Sequence, residues 1–205
     1  MVNLFLINCS YNLYQNYKMK LIEKIDRHEV LRRWAVGEVY SEFFNPLYES
    51  SRQETLAMLL SGSKYLEKEG IDNVLELKQG LVDSISLYIN WYRATLELNK
   101  SDLDLVYTLQ LPGWERNTEG SYLIADAARN IQQVPYLDAR VTGIYRALKN
   151  KEVKLEGITL LAVDKIGPYV AVEGTGRLTS IYMAQRLEHL DIIANNQVEI
   201  TLGLY

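Results

Sequence analysis

The residues best suited to chemistry are five consecutive ones near the end of the chain, Glu173-Gly174-Thr175-Gly176-Arg177. Residues 169–172 before them are apolar and rich in β-branched side chains, which predicts a buried strand. From Arg177 onward the apolar residues have helical spacing, so we expect a helix to begin there. A glycine turn from a strand into a helix leaves unpaired N–H groups at the helix start, and an arginine adds positive charge beside them. The pattern therefore favours a phosphate or nucleotide site.

The same residues also have ordinary structural explanations. Gly174 and Arg177 would serve equally in a plain strand-to-helix turn that carries a surface arginine. Glu173 would act as a general base or hold Mg²⁺ beside a phosphate in one interpretation. In the other, its carboxylate pairs with Arg177 or caps the following helix. Both interpretations of Glu173 stay open on the sequence alone.

Other polar residues add little to this candidate site. Arg116, Asp138 and Arg140 are further candidates for the pocket, contributed by neighbouring elements. The two histidines, His28 and His189, have no ligand-like spacing around them, so we expect no metal held by histidine. Neither histidine lies near a nucleophile in a pattern that would indicate a catalytic triad.

Composition limits the class of protein. The net charge of −4 over 205 residues, with no basic stretch, disfavours non-specific binding to duplex DNA. The single cysteine, Cys9, excludes an internal disulfide framework and a cysteine-based zinc site. The opening residues lack a basic region, and no segment approaches the roughly 20 apolar residues that a membrane helix needs. We expect a soluble, cytoplasmic protein with no membrane partner.

The first half of the chain is predicted to be mostly helical. Tyr88 and Tyr92 continue a helical stripe of apolar residues, and Trp91 beside them is expected to be core rather than a base-stacking surface. Gly70 is expected to end one helix, and Gly80 to mark a close approach or a break in the next. The predicted elements are a strand at 2–7 and helices at 12–25, 27–44, about 51–68 and 72–98.

In the second half, alternating apolar residues predict strands between predicted helices, which makes the fold class α+β. We divide the chain into a mainly helical region, 1–100, and an α+β region, 101–205, with one compact unit as the alternative. Residues 114–117 are expected to form a loop with a tryptophan lid over the core, or to contribute Arg116 to binding. The predicted elements are strands at 103–111, 158–163, 169–172 and 198–204, and helices at 119–132 and 137–148.

From about residue 141 to 204 the chain resembles the ParB/sulfiredoxin-like superfamily. The resemblance lies in the order helix, strand, hairpin, strand, Gly-x-x-Arg turn, helix and closing strand, with Gly174 and Arg177 as the Gly-x-x-Arg residues. Glu173 matches the acidic residue before the glycine. Gly176 stands where many members have histidine, and Thr175 stands where sulfiredoxins have their reactive cysteine. Because a hydroxyl cannot replace a thiolate in that chemistry, sulfiredoxin activity is not expected.

The resemblance implies an α+β fold that binds the phosphates of ATP or another nucleotide, with Mg²⁺, through Gly174, Thr175, Gly176 and Arg177. Under that hypothesis the protein is a phosphotransferase or nucleotide hydrolase in which Arg177 offsets charge on the transferred group and Glu173 positions Mg²⁺ or the acceptor.

Two other classes of function stay open. One is a non-enzymatic module in which a nucleotide or phosphorylated small molecule switches homo-oligomerisation through the tyrosine-rich half. The other is an accessory protein that binds single-stranded nucleic acid through the same turn, although nucleic acid is not the favoured partner.

Overall fold

The structure is a computed structural model that describes residues 19–41, 49–98 and 101–205. Its helices lie in groups between the strands, and 3₁₀ turns join several of the elements. The strands are β1 (Lys20–Ile25), β2 (Asn90–Glu97), β3 (Val106–Thr108), β4 (Thr159–Ala162), β5 (Tyr169–Glu173) and β6 (Gln197–Leu204). The helices are α1 (Arg27–Val39), α2 (Glu49–Leu59), α3 (Lys64–Leu75), α4 (Gln79–Ser84), α5 (Pro112–Thr118), α6 (Ile124–Gln133), α7 (Ala139–Lys149) and α8 (Thr175–Tyr182).

The strands form one mixed sheet in the order β1-β2-β6-β4-β5-β3. β6 pairs antiparallel with β2 and parallel with β4, while β5 pairs antiparallel with β4 and parallel with β3. The α+β fold class is therefore confirmed. Because β1 and β2 come from the first half of the chain, the sheet is shared between residues before and after position 100.

The two faces of the sheet carry separate cores. In β5, Ala171 belongs to the core that includes α6, α7 and α8, whereas the neighbouring Val172 belongs to the core that includes α1, α3 and α4. Successive side chains of a strand point to opposite faces, so this alternation places the two helix groups on opposite sides. β5 and the turn after it therefore lie between the two groups.

The elements around the turn follow the prediction closely. β4 and β5 are antiparallel neighbours joined by a short connection, as expected for 158–172, and β6 is the predicted closing strand. α7 confirms the helical stripe after Pro135. These segments were predictable because their apolar residues face a core on one or both sides.

The prediction of a helix over 12–25 is wrong for the part that the structure describes, because Lys20–Ile25 is strand β1. This strand is largely exposed at the sheet edge and owes its conformation to antiparallel pairing with β2. The strand expected at 2–7 lies outside the described residues. The helix expected at 27–44 is α1, and it ends at Val39.

The single helix expected at 51–68 is two helices, α2 and α3, separated at Gly62, which has φ +73°. Gly70 does not end a helix but lies inside α3, where an added Cβ would lie 3.1 Å from Leu59. A glycine therefore allows close packing of α3 on α2.

The long helix expected at 72–98 is also wrong, because the helical part ends at Ser84 and β2 follows. Leu77 and Tyr88, two apolar residues within this predicted helix, are 93% and 92% exposed. Trp91 is buried in the core, as expected, but it is there as part of β2. Gly80 has open space around it and marks no close approach.

In the second half, the strand predicted at 103–111 is limited to β3, after a 3₁₀ turn at Ser101–Leu105. The loop predicted at 114–117 is helix α5, which begins with Pro112, a residue suited to the first helical position. Its Trp114 is buried in the core, as one of the two alternatives proposed. The helix predicted at 119–132 begins only at Ile124.

Candidate functional site

The turn between β5 and α8 is shorter than predicted, because α8 begins at Thr175 rather than at Arg177. The turn is made by Gly174, with φ +82°, a left-handed conformation that favours glycine. A Cβ there would lie 2.8 Å from the Ile158 side chain, so space also requires glycine. No described side chain caps α8. The N–H groups of Thr175, Gly176 and Arg177 therefore have no intrahelical acceptor.

The Glu173 carboxylate, at the end of β5, is held by four donors. Its Oε1 accepts from the backbone N–H of Gly174 at 2.7 Å and pairs with Arg177 Nη2 at 3.4 Å. Its Oε2 accepts from Lys78 Nζ at 2.7 Å and from Trp34 Nε1 at 3.1 Å. The side chain is 14% exposed. The structure thus contains the Glu173–Arg177 pair that the sequence offered as one of two alternatives.

The Arg177 guanidinium points into the protein. It donates to the carbonyl oxygen of Glu156 as well as to Glu173, and its side chain is 11% exposed. An added Cβ on Gly37 of α1 would lie 3.2 Å from Arg177 Nη1, so α1 packs directly against the guanidinium. Burial lowers the pKa of Arg177, although Glu173 and other carboxylates oppose this effect. Arg177 is thus committed to internal contacts.

Lys78 extends this arrangement into a buried charge cluster of four side chains, Glu38, Lys78, Glu173 and Arg177. The Lys78 ammonium lies 2.5 Å from Glu38 Oε1 as well as 2.7 Å from Glu173. Because the cluster contains two carboxylates and two cations, its charges balance when all four are ionised. Lys78 is its most exposed member, at 29% of its side chain.

The two carboxylates of the cluster have pKa values shifted in opposite directions. Burial and the nearby charge of Glu173 raise the pKa of Glu38, and Lys78 opposes this only in part. Burial also acts to raise the pKa of Glu173, but Lys78 and Arg177 outweigh it, so the net pKa of Glu173 is lowered. Glu173 is therefore a firmly ionised carboxylate and a poor general base near neutral pH.

Sequence reasoning missed two members of this cluster, Glu38 and Lys78, and the neighbouring Trp34, which donates to Glu173. Trp34 and Glu38 are four residues apart on α1, so both lie on its buried face. The signal in the sequence that could have identified Glu38 was a charged residue one helical turn from a tryptophan expected in the core. Lys78 follows α3 in a 3₁₀ turn, and no sequence pattern predicts its contact with Glu173.

The three additional pocket candidates lie on the other side of α8, where α5 meets α7. Asp138 caps α7 by accepting from the Val141 N–H at 3.0 Å. Arg116 is exposed and donates to the Leu137 carbonyl at 3.1 Å. Asp138 and Arg116 therefore have structural partners at this junction.

Arg140 is the candidate that comes closest to the turn. Its Nη2 would lie 3.8 Å from a Cβ added to Gly176 in the first turn of α8. Its guanidinium stacks 5.8 Å from the centroid of the Trp114 ring, and no salt bridge to it is found within 19–41, 49–98 and 101–205. An exposed arginine thus lies beside the uncapped start of α8.

The arrangement suits an anion better than a protein-held metal ion. Uncapped N–H groups and a neighbouring guanidinium are the donors that phosphate groups accept from. Both Glu173 oxygens already accept from cations or N–H donors. Mg²⁺ would have to displace Lys78 to reach Oε2, or Arg177 and the Gly174 N–H to reach Oε1. No group of three or more His, Cys, Asp or Glu side chains suited to a metal occurs among the described residues.

Comparison of the chain with protein-family models, curated proteins and solved structures finds no match. Within the part of the chain that the structure describes, every helix is too short or too polar to span a membrane.

Proposed function

We propose that this protein binds a phosphate-bearing ligand, with a nucleotide as the favoured class, at the β5–α8 turn. The observation that carries the proposal is the uncapped first turn of α8 with the Arg140 guanidinium beside Gly176. A helix start with free N–H groups attracts negative charge, and a nearby guanidinium adds bidentate hydrogen bonding to phosphate. The ParB/sulfiredoxin-like resemblance supports the same ligand class.

In this proposal Arg140 takes the role that the sequence assigned to Arg177. Arg177 is committed to Glu173 and the Glu156 carbonyl, whereas Arg140 is exposed and stacks on Trp114. Stacking on an aromatic ring orients a guanidinium without consuming its N–H donors. The free-energy cost of binding a phosphate is therefore lower for Arg140 than for Arg177, which would first have to leave its internal partners.

The proposal is for binding, with phosphoryl transfer as a further possibility that the site does not require. Glu173 has a lowered pKa and no free oxygen, so it is badly placed to activate an acceptor. A nucleotide brings Mg²⁺ on its own phosphates, where the ion would supply charge neutralisation. The role left to the chain is to hold and orient the phosphates.

The test is calorimetry with ATP, ADP and CTP, with and without Mg²⁺, on the wild type and on Arg140→Ala. We expect the wild type to bind at least one nucleotide and Arg140→Ala to bind about tenfold or more weakly, since one charged hydrogen-bonding partner is lost. Arg146→Ala is the matched control, because Arg146 is an exposed arginine in the last turn of the same helix.

Equal losses in the two variants would show a general charge effect and would contradict a site at the α8 start. Binding of no nucleotide by the wild type would contradict the proposed function itself.

A further inference from the structure

A shallow apolar groove lies between α4 and the sheet. Its only polar side-chain atoms are the hydroxyls of Ser84 and Tyr205. Tyr205 is 51% exposed, so the groove is open to solvent on that side. The lining residues are Leu81, Ser84 and Ile85 at α4, Leu109 after β3, Leu161 of β4, Val170 and Val172 of β5, and Tyr205.

Further apolar side chains are exposed beside the groove. Leu87, Leu111 and Val163 each follow a lining residue by two positions, and all three are exposed. Single exposed apolar residues are ordinary on a protein surface. A patch of them around an apolar groove instead marks a surface that binds another group.

The chain enters the described structure next to this groove. Residues 1–18 lie outside the described residues, and the N–H of Met19 donates to the carbonyl oxygen of Lys165, between β4 and β5, at 2.8 Å. The N–H of Tyr205 donates to the carbonyl oxygen of Ala162, at the start of the same connection, at 3.2 Å. Three residues span at most about 11 Å, so Met19 and the Tyr205 end of the groove lie close together.

We propose that this groove is the docking surface of the chain's own N-terminal segment, residues 2–7. This segment contains the apolar run of residues 1–18, namely Val2, Leu4, Phe5, Leu6 and Ile7. Met19 belongs to the core on one face of the sheet and Leu161 to the core on the other, so the chain must pass around the β4–β5 connection. Residues 8–18 extend over roughly 36–40 Å, which is enough to do so. The inference is independent of the proposed phosphate site.

Two physical effects favour the N-terminal segment over a second copy of the chain as the occupant. Contact between the apolar run and the groove removes apolar surface of both from water. The attachment at Met19 makes this contact intramolecular, with an effective concentration on the order of millimolar. A second copy would have to reach that concentration to compete.

The single cysteine, Cys9, lies two residues after the N-terminal segment, so disulfide formation can report docking. The experiment adds a second cysteine beside the groove, in Tyr205→Cys, Val163→Cys or Leu111→Cys. Tyr136→Cys is the matched control, because Tyr136 is an exposed tyrosine in the turn before α7, on the other side of the sheet.

Dilute, reduced protein is oxidised with diamide, and the disulfide is followed by mass spectrometry without reductant. We expect the fastest of the three groove variants to form its disulfide with Cys9 at least about tenfold faster than Tyr136→Cys, since docking raises the local concentration of Cys9 at the groove. Thermal unfolding of the reduced proteins confirms that each variant folds.

Phe5→Asp, added to the fastest groove variant, tests the apolar run itself. A charge in the middle of the run opposes burial, so we expect the rate to fall to that of Tyr136→Cys. Asn3→Asp is its control, because it adds the same charge at the polar position of the segment, and it should change the rate less than about twofold.

Three results would overturn the inference. Equal rates in Tyr136→Cys and all three groove variants would show that the N-terminal segment has no preference for the groove. Disulfides between two chains as the main product would assign the groove to a second copy. An unchanged rate in Phe5→Asp would show that Cys9 comes near the groove without docking of the apolar run.

Discussion

Two arginines flank the start of α8, and they differ in exposure and in the groups that they contact. Arg177 is 11% exposed, pairs with Glu173, donates to a backbone carbonyl and packs against α1. Arg140 is exposed, stacks on Trp114 and lies beside Gly176. Only the first belongs to the Gly-x-x-Arg motif, yet only the second has donors available to a ligand. Under the proposed function, the motif marks the turn, and a different helix supplies the charge that binds the phosphate.

The difference follows from what surrounds each guanidinium. A buried charge is tolerated only when it is paired and hydrogen-bonded, and removing its partner leaves an uncompensated charge. The charge cluster around Arg177 therefore joins α1, the Lys78 turn, β5 and α8 into one structural unit. An exposed arginine has little such role, because water satisfies its donors. The comparison predicts large stability effects at Arg177 and large ligand effects at Arg140.

The largest expected effect is the loss of stability in Arg177→Ala. Removing the guanidinium leaves the Glu156 carbonyl without its donor and Glu173 with one fewer cation, in a site that is almost fully buried. We expect a loss of about 3 kcal/mol in the free energy of unfolding, measured by urea denaturation. Arg140→Ala is the control and should change it by less than about 0.5 kcal/mol. Equal losses would remove the distinction between the two arginines.

A second prediction concerns the close approach of α1 to the charge cluster at Gly37. A Cβ at this position would lie 2.7 Å from the Glu156 carbonyl oxygen and 3.2 Å from Arg177 Nη1. We expect Gly37→Ala to lose about 1–3 kcal/mol of stability, because overpacking outweighs the better helix propensity of alanine. Urea denaturation again gives the measurement.

Gly80→Ala is the matched control for Gly37→Ala, because Gly80 also lies within a helix but has no atom near an added Cβ. It should gain about 0.5–1 kcal/mol from helix propensity alone. A gain of stability in Gly37→Ala would show that α1 has room to move away from Arg177.

The parts of the fold that the sequence predicted are those with a strong local signal. β4, β5 and α7 have apolar residues at strand or helix spacing, and each packs into a core. β1 carries no such signal, since most of its residues are exposed and its conformation depends on pairing with β2, which is about 70 residues away. The helix predicted over β2 was wrong because the apolar residues of that segment fit the period of a helix as well as that of a strand.

The candidate site shows the same limit. Glu173, Gly174 and Arg177 are consecutive or nearly so, and the sequence offered their pairing as one alternative. Glu38 and Lys78 come from distant positions, and their contact with Glu173 depends on how α1 and the Lys78 turn pack on β5. Sequence spacing describes one element at a time, so contacts between separate elements required the structure.

The smallest expected effect is on the pH dependence of stability, which distinguishes the two carboxylates of the cluster. Folding raises the pKa of Glu38 above its ordinary value of 4.5, so its contribution to stability is complete below pH 4.5 and is lost as pH rises through the folded-state value. Folding lowers the pKa of Glu173, so its contribution is present above pH 4.5 and is lost as pH falls below that value. The two carboxylates therefore act with opposite signs on the two sides of pH 4.5.

Glu38→Gln removes only the first of these titrations. We expect its free energy of unfolding, relative to the wild type, to rise by up to about 1 kcal/mol as pH increases from 4.5 toward 7. The reason is that only the wild type has a Glu38 carboxyl whose ionisation is less favourable in the folded protein than in the unfolded chain. Urea denaturation of both proteins at several pH values measures the difference. A difference that stays constant over this range would mean that Glu38 ionises as freely in the folded protein as in the unfolded chain.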